Sequence, residues 1–262
     1  MGQWRVKDQV IVVTGGSRGI GLGTAQCLAR RGAKVALLAR DQAVLAAAVE
    51  QIGRDVAIGI VADACSPRDL DRALQQVVDR FGRIDGLINN VGYQFARRVE
   101  LMPEAEIRQL VDSNFLSAVF GCQVVIPHLR RAGGGRIVNI SSSSVRHVNE
   151  FCHLALYSAS KAALEKFSAA LRDEVRADNI AITVISSGAV MTGSVANFDP
   201  VALGEAMQAW LQKGPMTDGF MAVDPVAEAI AHAFEYPAGV ALEFLEVRPN
   251  APVPKMLEET PS

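Results

Sequence analysis

Val10-Ile11-Val12-Val13-Thr14-Gly15-Gly16-Ser17-Arg18-Gly19-Ile20-Gly21 runs from an apolar stretch through a glycine-rich turn into a helical pattern. A continuous apolar run of β-branched residues predicts a strand buried on both faces. Helical periodicity then holds from about Ile20 to Arg31, and Gly32 closes it. Glycines between a strand and a helix permit a tight turn and let the backbone approach a phosphate closely. The helix N-terminus adds free N–H groups and the positive end of its dipole. A glycine motif alone says little, and a plain strand–helix turn is the competing reading. The strand–turn–helix context favours dinucleotide binding.

The same alternation continues outward. Further strands are expected at Lys34–Leu38, Val56–Val61, Gly86–Ile88, Arg136–Ile140, Ile180–Ile185 and Leu242–Val247. Asp41 is placed to cap a helix that runs to about Ile52, and Ser66-Pro67 opens another. Apolar strands separated by helices predict an α/β fold, a doubly wound parallel sheet of about seven strands with helices on both faces. No linker divides residues 1–248. Residues 249–262 hold four prolines and read as a tail.

The 262 residues are 50% hydrophobic and 21% charged, with a formal net charge of -2. This globular profile suggests no nucleic-acid partner and no anionic membrane surface. Cys27, Cys65, Cys122 and Cys152 are scattered, without metal-ligand spacing, and no metal is expected. The first residues lack the apolar core of a signal peptide, and no apolar run reaches the length of a membrane span. A cytoplasmic location is the expectation.

Tyr157 and Lys161 lie four residues apart in a helical pattern, so phenol and ammonium share a face. A cation beside a phenol favours the phenolate and lowers a pKa that is otherwise about 10. The pair is a candidate proton-transfer device, although the same spacing occurs by chance on many helices.

The turn has the spacing TGxxxGxG rather than GxGxxG. With Asn89-Asn90-Val91-Gly92, the serines Ser141 to Ser144 and Tyr157-x-x-x-Lys161, the chain resembles the short-chain dehydrogenase/reductase family, and within it a carbonyl-reductase branch. The resemblance runs from about Val6 to Val247. It implies that Tyr157 is the general acid/base. Lys161 would lower its pKa and bond the nicotinamide ribose. Ser142 would hold the substrate carbonyl, with Ser141, Ser143 and Ser144 as alternatives. Asn114 would carry a water that links Lys161 to solvent, or would only bend its helix. Gly15, Ser17, Arg18, Gly19, Ile20 and Gly21 would cradle the cofactor. Asn90 would lie near the adenosine ribose, and Asp63 with Ala64 near the adenine; Asn90 can equally brace the sheet and Asp63 the turn. Val190 and Thr192 match positions that meet the carboxamide. Ser187-Gly188 stands where the family usually has Pro-Gly, which leaves the stiffness of that loop open.

An acidic residue at the end of the second strand selects NAD. Here Ala39 and Arg40 occupy that place, and Arg40 or Arg18 can pair with a 2′-phosphate, whereas Asp41 reads as a cap. NADP(H) is expected over NAD(H). Residues 191–223, with Val195, Phe198, Leu203, Met207, Trp210, Leu211, Met216, Phe220 and Met221, would form an apolar substrate lid. Phe95, His147, Phe151 and His153 face it in this reading. A hydrophobic ketone or secondary alcohol is the expected substrate. Two long helices near Glu104–Phe120 and Tyr157–Arg176 would assemble a homotetramer or homodimer. A cofactor-binding regulator without turnover and a non-redox lyase are the competing functions.

Overall fold

In the computed structural model, residues 6–147, 152–192, 199–213 and 219–250 are described. Seven strands form one sheet: β1 (Val10–Thr14), β2 (Lys34–Ala39), β3 (Ala57–Val61), β4 (Gly86–Asn89), β5 (Gly135–Ser142), β6 (Ile180–Ser187) and β7 (Phe244–Val247). Their order is β3-β2-β1-β4-β5-β6-β7, and every pairing is parallel. The doubly wound expectation therefore holds. The order reverses at β1, which leaves a crevice beyond the carboxyl ends of β1 and β4.

Alternate residues of each strand feed opposite cores, as the two-residue period of a strand requires. Ile11, Val13, Val35 and Leu37 pack against α1 (Gly19–Arg30), α2 (Gln42–Ile52) and α8 (Asp224–Ala233). Val10, Val12, Ala36 and Leu38 pack against α3 (Pro67–Phe81), α5 (Ser117–Ala132) and α6 (Ala155–Val175). Cys27 and Cys122 are buried members of these cores. The helix starts follow local sequence. The Asp41 carboxylate accepts from the amides of Ala43 and Val44, and the Ser66 hydroxyl accepts from that of Asp69.

Most strand boundaries move by one or two residues, and three changes bear on the site. The helix expected near Glu104–Phe120 runs on to Ala132: α4 (Glu104–Val111) passes through a π turn at Asp112–Leu116 into α5. This continuous helix of 29 residues is long and apolar enough to cross a membrane by length and composition alone, against the sequence expectation. It nonetheless lies on the sheet, with Cys122, Val125 and Leu129 in the core. The last strand starts at Phe244 rather than Leu242, because the Leu242 carbonyl accepts from the Thr183 hydroxyl at 2.6 Å instead of from a backbone amide. Strand β6 extends to Ser187, and the Gly188 amide donates to the Val247 carbonyl at 2.8 Å. Pairing with β7 thus holds the loop where the family's proline is missing.

Helix α7 (Pro200–Lys213) belongs to the expected lid. Phe151, Val195, Phe198, Met216, the Leu211 side chain and tail residues 251–262 lie outside the described residues.

Candidate active site

The glycine turn is bare and tight. Gly15 has φ +64°, which favours glycine. A Cβ on Gly21 would lie 2.4 Å from the Gly15 carbonyl oxygen and 2.6 Å from Asn90 Nδ2, so only glycine fits. Helix α1 has no side-chain cap, unlike α2 and α3, which leaves its first-turn amides without a carboxylate or hydroxyl partner. An uncapped helix start behind a cradle without side chains fits the phosphates of a dinucleotide.

Around that turn, Asn90 Nδ2 donates to the carbonyls of Thr14 and Gly15 at 3.1 and 3.3 Å. Its amide group therefore braces the turn. Asp63 Oδ1 accepts from the Cys65 amide at 2.9 Å, which shapes the chain after β3, and Ala64 is buried. Thr192 comes back over the turn, since a Cβ on Gly19 would lie 3.2 Å from its Cβ. Val190 bridges to Met221 beside it. Arg18 Nη2 stands 3.8 Å from Asp41 Oδ2, with both side chains exposed. Arg40, at the end of β2, donates from Nη2 to the Tyr93 hydroxyl at 2.5 Å. Sequence reasoning passed over Tyr93; an aromatic residue directly after Asn89-Asn90-Val91-Gly92 was the available signal.

The second group lies at the carboxyl ends of β4 and β5. Ser142 ends β5, and its side chain lies close enough to the Tyr157 phenol, in the first turns of α6, to act on its pKa. Ser144 donates to the Ser142 hydroxyl from both its amide and its own hydroxyl, at 3.2 and 3.0 Å. Ser141 points to the other face, where it donates to Glu165 Oε1 at 2.6 Å. Strand alternation thus separates the two serines, and Ser142 is the one that meets Tyr157. Lys161 is buried, and its Nζ donates to the Ile140 carbonyl at 2.8 Å. A Cβ on Gly92 would lie 2.8 Å from Asn114 Oδ1 and 3.3 Å from Lys161 Nζ, so these two side chains converge there. Asn114 sits in the π turn and clamps Tyr93. Its Oδ1 accepts from the Tyr93 amide at 2.8 Å, and its Nδ2 donates to the Tyr93 carbonyl at 2.9 Å. A π turn moves a side chain out of the ordinary helical register, a device common at functional sites.

The electrostatics correct one expectation. Burial pushes the Tyr157 phenol above its ordinary pKa, and the nearby Ser142 side chain acts in the opposite direction. Burial lowers the Lys161 ammonium to about 8, and that ammonium is directed at the Ile140 carbonyl. Sharing a helical face does not by itself direct a long flexible side chain at its neighbour.

An apolar wall stands beside Tyr157. Ala96, Leu154, Ala206 and Trp210 form a cluster, and Tyr157, Cys152 and Leu203 pack on it. Trp210 Nε1 donates to the Cys152 carbonyl at 2.6 Å, which ties α7 to the start of α6. Asp199 caps α7 through the amides of Val201 and Ala202 and lies 3.7 Å from Arg97. Met207 and Phe220, expected in the lid, are exposed. His147 Nε2 lies 2.8 Å from Glu246 Oε1, and the His153 carbonyl accepts from the Arg97 amide.

Comparison with known proteins matches residues 9–201 to the family described as short chain dehydrogenase. An uncharacterized oxidoreductase of Staphylococcus saprophyticus is 30% identical over 248 residues, 94% of this chain and 98% of that protein. A 3-ketodihydrosphingosine reductase of Bacteroides thetaiotaomicron is 34% identical over 192 residues, 73% of this chain and 68% of the relative. Among solved structures, a 3-ketoacyl-(acyl-carrier-protein) reductase from Brucella melitensis complexed with NADH superposes with a TM-score of 0.80 at 25% identity, covering 92% of this chain and 97% of that one.

Proposed function

Because this chain belongs to the short-chain dehydrogenase family and is an oxidoreductase of that family, we propose that it interconverts a hydrophobic ketone or aldehyde and a secondary alcohol with NADP(H). The observation that carries the reading is the meeting of Ser142 with Tyr157 beside Lys161 and Asn114, next to the bare glycine turn. When bound, the nicotinamide supplies hydride to the substrate carbon in reduction and takes it back in oxidation.

The chain's own residues do the rest. The Ser142 hydroxyl holds and polarises the carbonyl oxygen. A phenol is protonated at neutral pH and burial shifts Tyr157 further that way, so its hydroxyl gives the proton to that oxygen as the carbon is reduced. Lys161 Nζ, with its pKa lowered to about 8, binds the nicotinamide ribose and returns a proton towards Tyr157. Asn114 holds the Gly92-Tyr93 backbone against Lys161 and completes the path to solvent. Ser17, Arg18, Gly19, Ile20 and Gly21 hold the pyrophosphate. Asn90, Asp63 and Ala64 border the adenosine, and Val190 and Thr192 the carboxamide.

Preference for NADP(H) is supported by Ala39, where a carboxylate would select NAD, and by the exposed guanidinium of Arg40. The Asp41 carboxylate is engaged with its helix and with Arg18. An apolar substrate is supported by the Leu154, Leu203 and Trp210 wall beside Tyr157. The named ketone substrate of the Bacteroides relative agrees with this class. The same reading makes the protein a cytoplasmic homo-oligomer without nucleic-acid or membrane partners.

Oxidation of NADPH with a panel of bulky ketones tests the proposal. Tyr157→Phe should lower kcat by about 10²–10⁴-fold, and turnover unaffected by it overturns the mechanism. Arg40→Ala should lower kcat/KM for NADPH at least about tenfold, the worth of one charged hydrogen bond, while NADH changes little. A higher kcat/KM with NADH in the unaltered protein overturns the cofactor preference.

A further inference from the structure

Arg40 follows β2 and Tyr93 follows β4, and β1 lies between those strands in the sheet. Neighbouring strands stand about 4.8 Å apart, so the pair reaches across about 10 Å, over the carboxyl end of β1 and its glycine turn. The contact is closed by the hydrogen bond of 2.5 Å from Arg40 Nη2 to the Tyr93 hydroxyl. In a doubly wound sheet a dinucleotide lies beyond these strand ends, where the strand order reverses. The Arg40–Tyr93 bridge crosses that place.

The two halves of the bridge differ in rigidity. The Tyr93 backbone is held on both sides by the buried Asn114 side chain, through its amide and its carbonyl. Arg40 is an exposed side chain at a strand end. The ring is the fixed post and the guanidinium the movable arm. One Arg40 N–H is engaged by Tyr93, which leaves four of the roughly five donors of a guanidinium for an anion.

We propose that Tyr93 is a cofactor-positioning residue: with Arg40 it forms a strap that parts to admit the dinucleotide, closes over its adenosine half, and holds the guanidinium for a 2′-phosphate. This rests on the dinucleotide reading above. It extends that reading by linking the adenosine end of the cleft to Asn114, and so to Lys161, through a single residue.

The test is stopped-flow binding and release of NADPH, followed by nucleotide fluorescence without substrate. Tyr93→Phe retains the ring and the backbone anchor and removes the hydroxyl. It should raise the NADPH release rate about tenfold, the worth of a hydrogen bond to a charged group, with entry no slower than in the unaltered protein. In an Arg40→Met background the same Tyr93→Phe change should have no further effect, because the two side chains act as one unit. A release rate within about twofold of the unaltered protein, or a Tyr93→Phe effect that persists in Arg40→Met, overturns the strap alone. Binding of NADH but not NADPH removes the 2′-phosphate role, and the strap is then judged on NADH release by the same criteria. If the unaltered protein binds neither nucleotide, the dinucleotide reading falls and the strap falls with it.

Discussion

Lys161 brings an ammonium into a buried place where, among the described residues, no carboxylate pairs with it. Desolvation disfavours the charged form and lowers its pKa from 10.5 to about 8. Below pH 8 the group is charged in both folded and unfolded chains, and the fold carries the whole penalty. Between pH 8 and 10.5 the folded chain releases the proton first, so stability rises with pH through that window. Above it both chains are neutral and the gain is complete, about 3 kcal/mol for a shift of this size. Urea denaturation at pH 7.5 and 9.5 should therefore show a rise that is missing in Lys161→Met. Equal slopes for the two proteins would contradict the burial. Tyr157 shows the opposite sign for the same reason, since burial of a phenol disfavours the phenolate. A protonated phenol at neutral pH suits the reductive direction.

At the scale of elements, the turn between β1 and α1 depends on missing side chains. Gly21→Ala would place a methyl 2.4 Å from the Gly15 carbonyl oxygen, and the turn would have to open. Overpacking of this kind costs about 1–3 kcal/mol, and here it also spoils the phosphate cradle. Gly21→Ala should lower the thermal midpoint and weaken NADPH binding at least about tenfold; unchanged binding by fluorescence titration would show that the turn is not the cradle. Helix starts were legible because capping is local, as at Asp41 and Ser66. The π turn at Asp112–Leu116 was not legible. It comes from contacts with Tyr93, distant in the chain, that draw Asn114 inward.

At the scale of the whole molecule, the helix Glu104–Ala132 leaves Val111, Phe115, Leu116 and Val119 half-buried within one chain. Phe115 meets Phe167 of α6 edge-on at 6.0 Å, so the two long helices lie side by side. Contact with another copy of the chain would cover these side chains. Sedimentation or light scattering should give a homotetramer of 28.0 kDa chains, and a 28.0 kDa particle would contradict this assembly.

The sequence by itself determined the parallel sheet and the glycine turn, and it set Tyr157 and Lys161 one helical turn apart, whereas Asn114 came into view only through the resemblance to the family. The first three are written in short-range spacing: apolar runs, caps, and residues one helical turn apart. Only the tertiary structure decided which of Ser141 to Ser144 meets Tyr157, because adjacent residues of a strand face opposite ways and Ser141 is drawn to Glu165. It alone decided that Lys161 is directed at the Ile140 carbonyl and that the Tyr157 pKa moves upward, since burial depends on what the whole chain packs around a group. It also joined Arg40 to Tyr93, 53 residues apart, because β2 and β4 flank β1 only once the sheet is assembled.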